Sequence, residues 1–306
     1  MGPLTSKKDD WLRRWGRNAE PLITWAVMGL GMLVRAMSAS MARRFAWLIG
    51  DFIHHVVGLR RELVCRNISL TFPEKSDEDV RRIATAVYRN IATTFIDVLR
   101  FPLIRKVEDV EALVDIDVSP FWRGTDNGRT GAVVISGHYG NWELMATAFG
   151  MKAKPMTIIV KELSNKALDR AMNHFRTMNG NGVVYQAQAP REGMRLLNEG
   201  GVLAILADQS DPGASAYGEF LGRRATMFHG AAFFALRAKV PLFVGMCRHI
   251  DGGRYRVEMQ EIETSDLKFC NEDIQTLSIR YTNVLEEYIY RWPEEWFWLH
   301  NRWKNA

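Results

Sequence analysis

The sequence predicts an α/β fold in which a mixed, largely parallel sheet is covered by helices on both faces. Short apolar runs rich in β-branched residues are typical of buried strands, and segments with helical periodicity separate most of them. This alternation of strands and helices is typical of sheets that pack against helices on both sides. Of the 306 residues, 47% are hydrophobic, which is enough to fill a sizeable core.

The pattern predicts six strands and five helices in order along the chain. The strands are expected at Ala132–Ile135, Met156–Val160, Val183–Tyr185, Val202–Ala207, Leu242–Met246 and Tyr255–Gln260. The helices are expected at Asn141–Phe149, Lys166–Met178, Arg191–Asn198, His229–Ala238 and Ile274–Tyr290. Between Ala112 and Lys304 there is no linker-like tract and no internal repeat. We therefore interpret residues 61–306 as one α/β domain, preceded by a helical extension over residues 1–60.

The extension contains two apolar stretches flanked by arginine and tryptophan. Leu22–Val34 is an uncharged run of 13 residues, whereas a helix that spans a membrane needs about 20. Phe45–Val57 follows as an amphipathic stretch. Such flanks are typical of helices that lie in a membrane interface or are anchored there, so we expect the extension to associate with a membrane. Packing of both stretches into the core of a soluble domain is the alternative.

The chain carries a net charge of +5, and part of the positive charge is clustered. The clusters are Arg13, Arg14 and Arg17, then Arg35, Arg43 and Arg44, then Arg60 and Arg61. An anionic membrane surface and an acidic protein are the partners that this charge favours. No nucleic-acid-binding motif accompanies the clusters, so nucleic acid is not expected as a partner. An ordinary solvated surface is the alternative for each cluster.

The cysteines and histidines indicate neither a disulfide framework nor a metal centre. The three cysteines, Cys65, Cys247 and Cys270, are scattered, which fits a reducing compartment. His54 and His55 are adjacent but have no carboxylates nearby, so no metal site is expected. A cleavable signal peptide is not apparent, because the first apolar run begins late, behind an arginine-rich segment.

The most informative stretch is GAVVISGHYGNWELMATAFG, from Gly131 to Gly150. His138 follows an apolar strand between two glycines, and Glu143 falls in the first turn of the next helix, after the N-cap residue Asn141. The two side chains lie across a tight turn and can meet, and a carboxylate that orients an imidazole makes it a usable general base. No G-x-S-x-G elbow or cysteine lies nearby, which favours direct deprotonation of a substrate hydroxyl. A structural histidine beside a capping glutamate is the alternative.

Other polar residues are weaker candidates for the site. Asp208 and Gln209 follow an apolar strand, so in a parallel sheet they share an edge with His138. They could bind a headgroup or support a thioester, and a turn-starting aspartate is the alternative. Arg223 and Arg224 follow a glycine and could bind phosphate, or could be solvated. The aromatic C-terminal stretch is more typical of a packed end or an interfacial belt than of a chemical site.

The motif H-x-x-x-x-E behind an apolar strand resembles the H-x4-D/E signature of glycerolipid and lipid A acyltransferases. Four later stretches resemble blocks of one branch, the bacterial lipid A late acyltransferase family, which includes mycobacterial phosphatidylinositol mannoside acyltransferases. These stretches are VKELSNKALDRAMNHFR, LADQSDPG, EFLGRRATMFHGAAFFALRAKVPLFVG and RWPEEWFWLHNRWK. The resemblance extends from about Asn67 to Lys304, and the ordered set of blocks is far more specific than H-x4-E alone.

One position departs from the family pattern. Many members carry an arginine where this chain has Lys161. Lysine keeps the positive charge but lacks the planar fork that binds a phosphate or carboxylate with two hydrogen bonds. The departure leaves open the acceptor headgroup or the way in which the acyl thioester is held.

The resemblance implies a glycerolipid-acyltransferase-like fold and a membrane-associated O-acyltransferase at the cytoplasmic face of the bacterial inner membrane. Such an enzyme moves a fatty acyl chain from a thioester of acyl carrier protein or coenzyme A to a hydroxyl of a lipid acceptor, here a lipid A precursor, without a further cofactor. His138 would take the hydroxyl proton, and Glu143 would orient His138. The residues expected to contact substrate are Asn141, Lys161, Asp208, Gln209, Arg223 and Arg224.

Three other functions remain open at this stage. The acceptor could be a lysophospholipid or another glycolipid. The same His-Glu pair could instead activate water and hydrolyse a thioester or a lipid, which would release free fatty acid. A non-catalytic lipid-binding protein could have kept the fold, although the intact His138 and Glu143 argue against it.

Overall fold

A computed structural model describes residues 25–210 and 217–304 of the chain. The strands are β1 Val114–Ile116, β2 Ala132–Ser136, β3 Met156–Val160, β4 Gly182–Tyr185, β5 Val202–Leu206, β6 Tyr217–Phe220, β7 Arg223–Thr226, β8 Leu242–Ile250 and β9 Arg254–Ile262. The α-helices are α1 over residues 25–36, α2 Ala39–Phe52, α3 Arg61–Thr71, α4 Asp77–Arg100, α5 Val107–Leu113, α6 Ser119–Gly124, α7 Trp142–Lys152, α8 Lys166–Thr177, α9 Ala189–Asn198, α10 Gly230–Ala238 and α11 Asn271–Arg291. A π-helical turn follows α2 at Ile53–Val57, and 3-10 turns lie at Phe101–Leu103, Asp251–Gly253 and Pro293–Glu295.

Seven of the strands form one sheet in the order β1-β9-β8-β2-β5-β3-β4. The five strands from β8 to β4 run parallel. β9 pairs antiparallel with β8, and β1 runs parallel to β9. The predicted mixed, largely parallel sheet is therefore confirmed. β6 and β7 form a separate antiparallel hairpin.

Alternate residues of the central strands pack on opposite faces of this sheet. Val133 and Ile135 join a core with α9, α10 and α11. Ala132 and Val134 join a second core with residues of α4, α7 and α8. Each fully buried apolar side chain of this kind contributes about 1.5–3 kcal/mol, so helices stabilise the sheet on both faces.

All six predicted strands and five predicted helices are present; β3 has the predicted bounds and the other elements have shifted ends. The largest difference is in β8 and β9, whose antiparallel ladder joins nine residue pairs. The ladder carries β8 past Met246 into polar residues such as His249, which the apolar pattern excluded. β1 and the hairpin were not predicted, because strands of three or four residues with charged members lack an apolar run.

Helix α2 buries small residues and exposes large apolar ones. The residues buried against α4 are Ala42, Ala46 and Gly50. A Cβ atom at Gly50 would lie 2.7 Å from the backbone of the facing helix, so the close approach requires glycine. The exposed apolar residues are Met41, Leu48 and Phe52, with Leu48 67% exposed. This distribution is opposite to that of an ordinary surface helix, which buries its large apolar residues.

Helix α1 also exposes large apolar side chains, among them Trp25, which is 70% exposed, Met28 and Met32. None of the described helices has both the length and the apolar character needed to cross a membrane. Residues 1–24 lie outside the described part of the chain. The predicted cluster of Arg13, Arg14 and Arg17 and the first residues of the predicted apolar run fall there.

Candidate active site

His138 lies on the tight turn between β2 and α7. Gly140 in this turn has φ of +55°, and a Cβ atom there would lie 1.8 Å from the carbonyl oxygen of Cys247, so the turn requires glycine. The side chain of Asn141 caps α7, accepting the N–H of Leu144 at 3.0 Å. The turn thus holds His138 at the carboxyl edge of β2, where its side chain is 23% exposed.

Asp208 orients His138 from the neighbouring strand. Ser136 of β2 pairs with Leu206 of β5, so His138 and Asp208 occupy matching places beyond the ends of two parallel strands. Nδ1 of His138 lies 2.8 Å from Oδ1 of Asp208, and the backbone N–H of His138 donates to Oδ2 at 2.9 Å. The indole N–H of Trp296 also donates to Oδ2, at 2.8 Å.

The carboxyl group of Asp208 is held ionised. Burial raises its pKa, but the charge of His138 and the hydrogen bonds from His138 and Trp296 outweigh the burial and lower the pKa to about 2. The carboxylate therefore accepts the proton of Nδ1, which in the neutral form of the ring leaves Nε2 of His138 as the nitrogen that can accept a proton from a substrate. This is the arrangement of a general base with its orienting carboxylate.

Glu143 lines the same cavity as His138 but bonds to Arg176. Its carboxylate accepts hydrogen bonds from Nη2 of Arg176 at 2.5 Å and from Nε of Arg176 at 3.0 Å. The indole N–H of Trp142 also donates to this carboxylate, at 3.2 Å. Burial lowers the pKa of Arg176, but the charge and hydrogen bonds of Glu143 outweigh it and raise that pKa above its ordinary value, so the guanidinium stays charged.

The expected contact between Glu143 and His138 is not among the hydrogen bonds of the described residues. The residue that orients His138 is Asp208, which corrects the partner expected from the H-x4-E spacing. The reason is geometric: Glu143 lies on the first turn of α7, and its side chain meets α8, which carries Arg176. Arg176 carries no recognisable signal in the sequence, because an arginine in an amphipathic helix is more typical of a solvated face.

Of the other predicted substrate contacts, Lys161 and Gln209 line the cavity next to His138. Lys161 follows β3 and is exposed. Nε2 of Gln209 lies 3.3 Å from both ring nitrogens of His138. Asn141 is fully buried, and its amide donates to Asp97 at 3.0 Å, so its side chain maintains the turn instead of facing the cavity.

Arg223 and Arg224 lie on the β6–β7 hairpin and are not part of the cavity wall. The guanidinium carbon of Arg223 lies 3.2 Å from the ring centroid of Trp303, and that of Arg224 lies 4.5 Å from the ring centroid of Tyr217. Burial and a neighbouring arginine lower the pKa of Arg223 to about 10. The structure brings both residues to aromatic partners by cation–π contacts, and not to His138.

Residues 293–304, the C-terminal segment, pack against the turn that carries His138. The N–H of Phe297 donates to the carbonyl of His138 at 2.9 Å, and Trp296 donates to Asp208. His300 lines the cavity, and burial lowers its pKa to about 4, so its neutral ring accepts the N–H of Ser210 at 3.2 Å. The aromatic pattern of this segment predicts a packed end or an interfacial belt, and not a place in the site. The sequence signal that could have placed this segment in the site is its tryptophan-rich block.

The cavity beside His138 has a volume of about 980 Å³ and a mainly apolar wall. Its charged and titratable groups are His138, Glu143, Lys161, Arg176, His300 and Lys304. Within the described residues no group of three or more His, Cys, Asp or Glu side chains is arranged to hold a metal ion. An apolar cavity with a few convergent polar groups is typical of a binding site for a small molecule.

A carboxylate-oriented histidine at the edge of an open α/β sheet, beside such a cavity, is the arrangement of an enzyme active site. The chain belongs to the bacterial lipid A biosynthesis acyltransferase family, whose family model matches residues 14–305. The protein is therefore an acyltransferase, and the resemblance predicted from its sequence blocks is confirmed.

Known acyltransferases show similarity over most of their length. The chain is 24% identical over 236 residues to a phosphatidylinositol mannoside acyltransferase of Mycolicibacterium smegmatis, covering 76% of this chain and 74% of that protein. It is 22% identical over 294 residues to a lipid A biosynthesis lauroyltransferase of Escherichia coli, covering 92% and 91%. It is 23% identical over 266 residues to a lipid A biosynthesis palmitoleoyltransferase of the same species, covering 80% and 79%.

Proposed function

We propose that the protein transfers a fatty acyl chain from a thioester of acyl carrier protein or coenzyme A to a hydroxyl of a lipid A precursor. The observation that carries the proposal is the position of the His138–Asp208 pair, which opens into an apolar cavity of about 980 Å³. The polar end of this cavity, where His138, Lys161 and Arg176 lie, suits a thioester and a hydroxyl. The apolar wall of the cavity suits a hydrocarbon chain.

The proposed reaction uses His138 as both base and acid. The hydroxyl proton passes to Nε2 of His138 as the hydroxyl oxygen attacks the thioester carbonyl carbon. The C–S bond of the tetrahedral intermediate then breaks, and the imidazolium returns the proton to the leaving thiolate, which yields an ester and a free thiol. Asp208 stabilises the imidazolium through the Nδ1 hydrogen bond of 2.8 Å.

Positive groups in the cavity wall support the negative charge of this reaction. Lys161, Arg176 and the amino end of α7 surround the polar end of the cavity, where cations and helix dipoles stabilise an oxyanion or a phosphate. In this proposal Glu143 contributes through Arg176, whose guanidinium it holds in place with two hydrogen bonds. Glu143 is thus a positioning residue.

The same proposal locates the enzyme on the cytoplasmic face of the inner membrane. The exposed apolar side chains of α1 and α2, such as Trp25, Leu48 and Phe52, form a surface suited to the acyl boundary of a bilayer. Arg44 on α2 is also exposed and suits anionic headgroups. Val27 of α1 lines the cavity, so this surface leads to the site.

A second acceptor class, another glycolipid, is favoured by two observations. The identity to the mycobacterial phosphatidylinositol mannoside acyltransferase is as high as that to the lipid A enzymes. Lys161, in place of the arginine of many members, also lies beside the site where a headgroup would bind.

Mass spectrometry of membrane lipids from cells that express the wild type or His138→Ala tests the proposal. A lipid A precursor heavier by one acyl chain is expected only with the wild type. Acylation of a different glycolipid would support the second acceptor class. Free fatty acid without any acylated lipid would show a hydrolase, and identical lipids in both cells would contradict acyl transfer.

Assays of the purified protein test the donor. Thioesters of acyl carrier protein and coenzyme A with one chain length are compared across a salt series. Salt should weaken the use of the acidic carrier protein, because its docking on a basic surface is steered by charge. Equal use of both donors with flat salt profiles would contradict carrier-protein docking.

A further inference from the structure

The apolar wall of the cavity lies on both faces of the sheet. Neighbouring residues of a strand point to opposite faces, yet Ala204 and Ile205 of β5 both line the cavity. So do Val134 and Ile135 of β2. Ala204 and Val134 belong to the core with α7, and Ile205 and Ile135 belong to the core with α10. The cavity therefore passes around the carboxyl edge of the sheet, where His138 lies.

On the α7 face the cavity is deep. It reaches from Lys161, just beyond the end of β3, to Met156, the first residue of that strand. Five residues of strand correspond to a depth of about 16 Å at ~3.3 Å per residue. Two small residues, Ala146 and Ala204, leave room in its wall, and each is 9% exposed. This deep arm is defined by Val134, Ala146, Met156, Ile158, Met172 and Ala204.

On the α10 face the cavity is short. It touches only the penultimate residue of each of the strands β2, β3 and β5, which on β3 is Ile159. The opposite wall comes from the start of α9 and from phenylalanines in and before α10. This short arm is defined by Ile159, Ala189, Pro190, Ile205, Phe228 and Phe234.

We propose that the two arms bind two different hydrocarbon chains, the acyl chain of the donor in the deep arm and an apolar part of the lipid acceptor in the short arm. The inference rests on the proposed function. Transfer without a covalent enzyme intermediate requires both substrates at His138 at once, and one arm cannot hold both chains. The donor chain must enter completely to bring its carbonyl carbon to His138, which suits the deep arm. An acceptor needs to insert only the part next to its hydroxyl, which suits the short arm.

A matched pair of substitutions tests the assignment, Ala146→Leu in the deep arm and Ala189→Leu in the short arm. Ala146→Leu should lower kcat/KM for the longest acyl thioester by roughly 10-fold or more, and less for short ones, because each excluded methylene is worth roughly 10-fold. Its KM for a lipid A precursor in mixed micelles should not change. Ala189→Leu should raise the KM for the lipid A precursor by roughly 10-fold. It should leave the order of preference among acyl donors of different chain lengths unchanged. A change of donor chain-length preference in Ala189→Leu would overturn the proposal.

Photolabelling of the wild type tests the arms without any substitution. An acyl thioester with a diazirine at the end of its chain should label peptides of α7 and α8, and a lipid A precursor with a diazirine in its apolar part should label peptides of α9 and α10. Labels of both probes on α7 and α8 alone would overturn the second arm, and this result does not depend on the folding of a substituted protein. Labels on both sets, with no acyl transfer to any lipid, would contradict the proposed function while supporting two hydrocarbon-binding arms.

Discussion

Glu143 lines the cavity and Asp208 is buried behind His138, and the partners of these two carboxylates are the reverse of what their sequence positions indicate. Glu143 is close to His138 in sequence and bonds to Arg176. Asp208 is 70 residues from His138 and bonds to it. The difference teaches that the register of parallel strands, more than spacing along the chain, decides which side chains meet at the carboxyl edge of a sheet.

The largest expected effect is that of His138→Ala, which removes the proposed base. The loss in kcat should be roughly 10²–10⁴-fold, and the thermal unfolding midpoint should also fall, because the buried carboxylate of Asp208 loses its partner. His174→Ala, at an exposed histidine of α8, is the matched control and should keep full activity. Near-normal transfer by His138→Ala would show that neither carboxylate belongs to a catalytic pair.

Asp208→Asn tests which of the two carboxylates acts on His138. The amide keeps the shape of the side chain but removes the charge that stabilises the imidazolium, so kcat should fall roughly 100-fold, near the lower end of what general acid–base catalysis contributes, with little change in KM. Asp169→Asn, at a buried carboxylate that accepts the hydroxyl of Tyr185 at 2.6 Å, is the control for loss of a buried charge. A smaller loss in Asp208→Asn than in Glu143→Gln would restore Glu143 as the partner of His138.

Glu143→Gln should have a smaller effect of a different kind. Arg176 stays in the wall but loses its bidentate partner, so the loss should be roughly 10-fold and should appear mainly in KM. The variant should also unfold more easily, because the guanidinium is left without its counter-charge. Adding Arg176→Gln should recover part of that stability. A fall in kcat alone, with a shifted pH profile, would instead indicate that Glu143 acts on His138.

The smallest expected effect is the pH dependence of stability due to Asp208. Its pKa is lowered from the ordinary 3.8 to about 2 in the folded protein. A group with a depressed folded pKa stabilises the protein fully above its unfolded pKa, and this contribution is lost as the pH falls from 3.8 to about 2. The contribution is about 2 kcal/mol, at ~1.4 kcal/mol per pKa unit. Urea unfolding at a series of acid pH values should show the difference between wild type and Asp208→Asn shrinking by that amount. A difference in unfolding free energy that stays constant across these pH values would contradict the lowered pKa of Asp208.

The sheet and its helices could be predicted because apolar runs and helical periodicity are local signals. Met156–Val160 needs no knowledge of its neighbours to be recognised as a strand. The hairpin strand Arg223–Thr226 carries no such signal, because its two arginines are stabilised by aromatic rings from elsewhere in the chain. Short strands of this kind depend on tertiary contacts that sequence periodicity does not contain.

The site was predictable in part for the same reason. Both His138 and Asp208 follow apolar strands, which predicts a shared edge in a parallel sheet. The order of strands that puts β5 directly beside β2 is not visible in the sequence. Likewise, Trp296 is recognisable as part of an aromatic block, but its hydrogen bond to Asp208 depends on where that block folds.

The contact between Trp296 and Asp208 also sets when the site is completed during synthesis. The ribosome makes His138 and Asp208 well before the C-terminal segment, so the newly made turn and carboxylate are open to water until residues 293–304 fold over them. The imidazole and its counter-charge are made early, but the indole that shields the counter-charge is made later. We therefore expect a cut between α11 and Trp296 to expose Asp208 to water and to lower activity without touching His138.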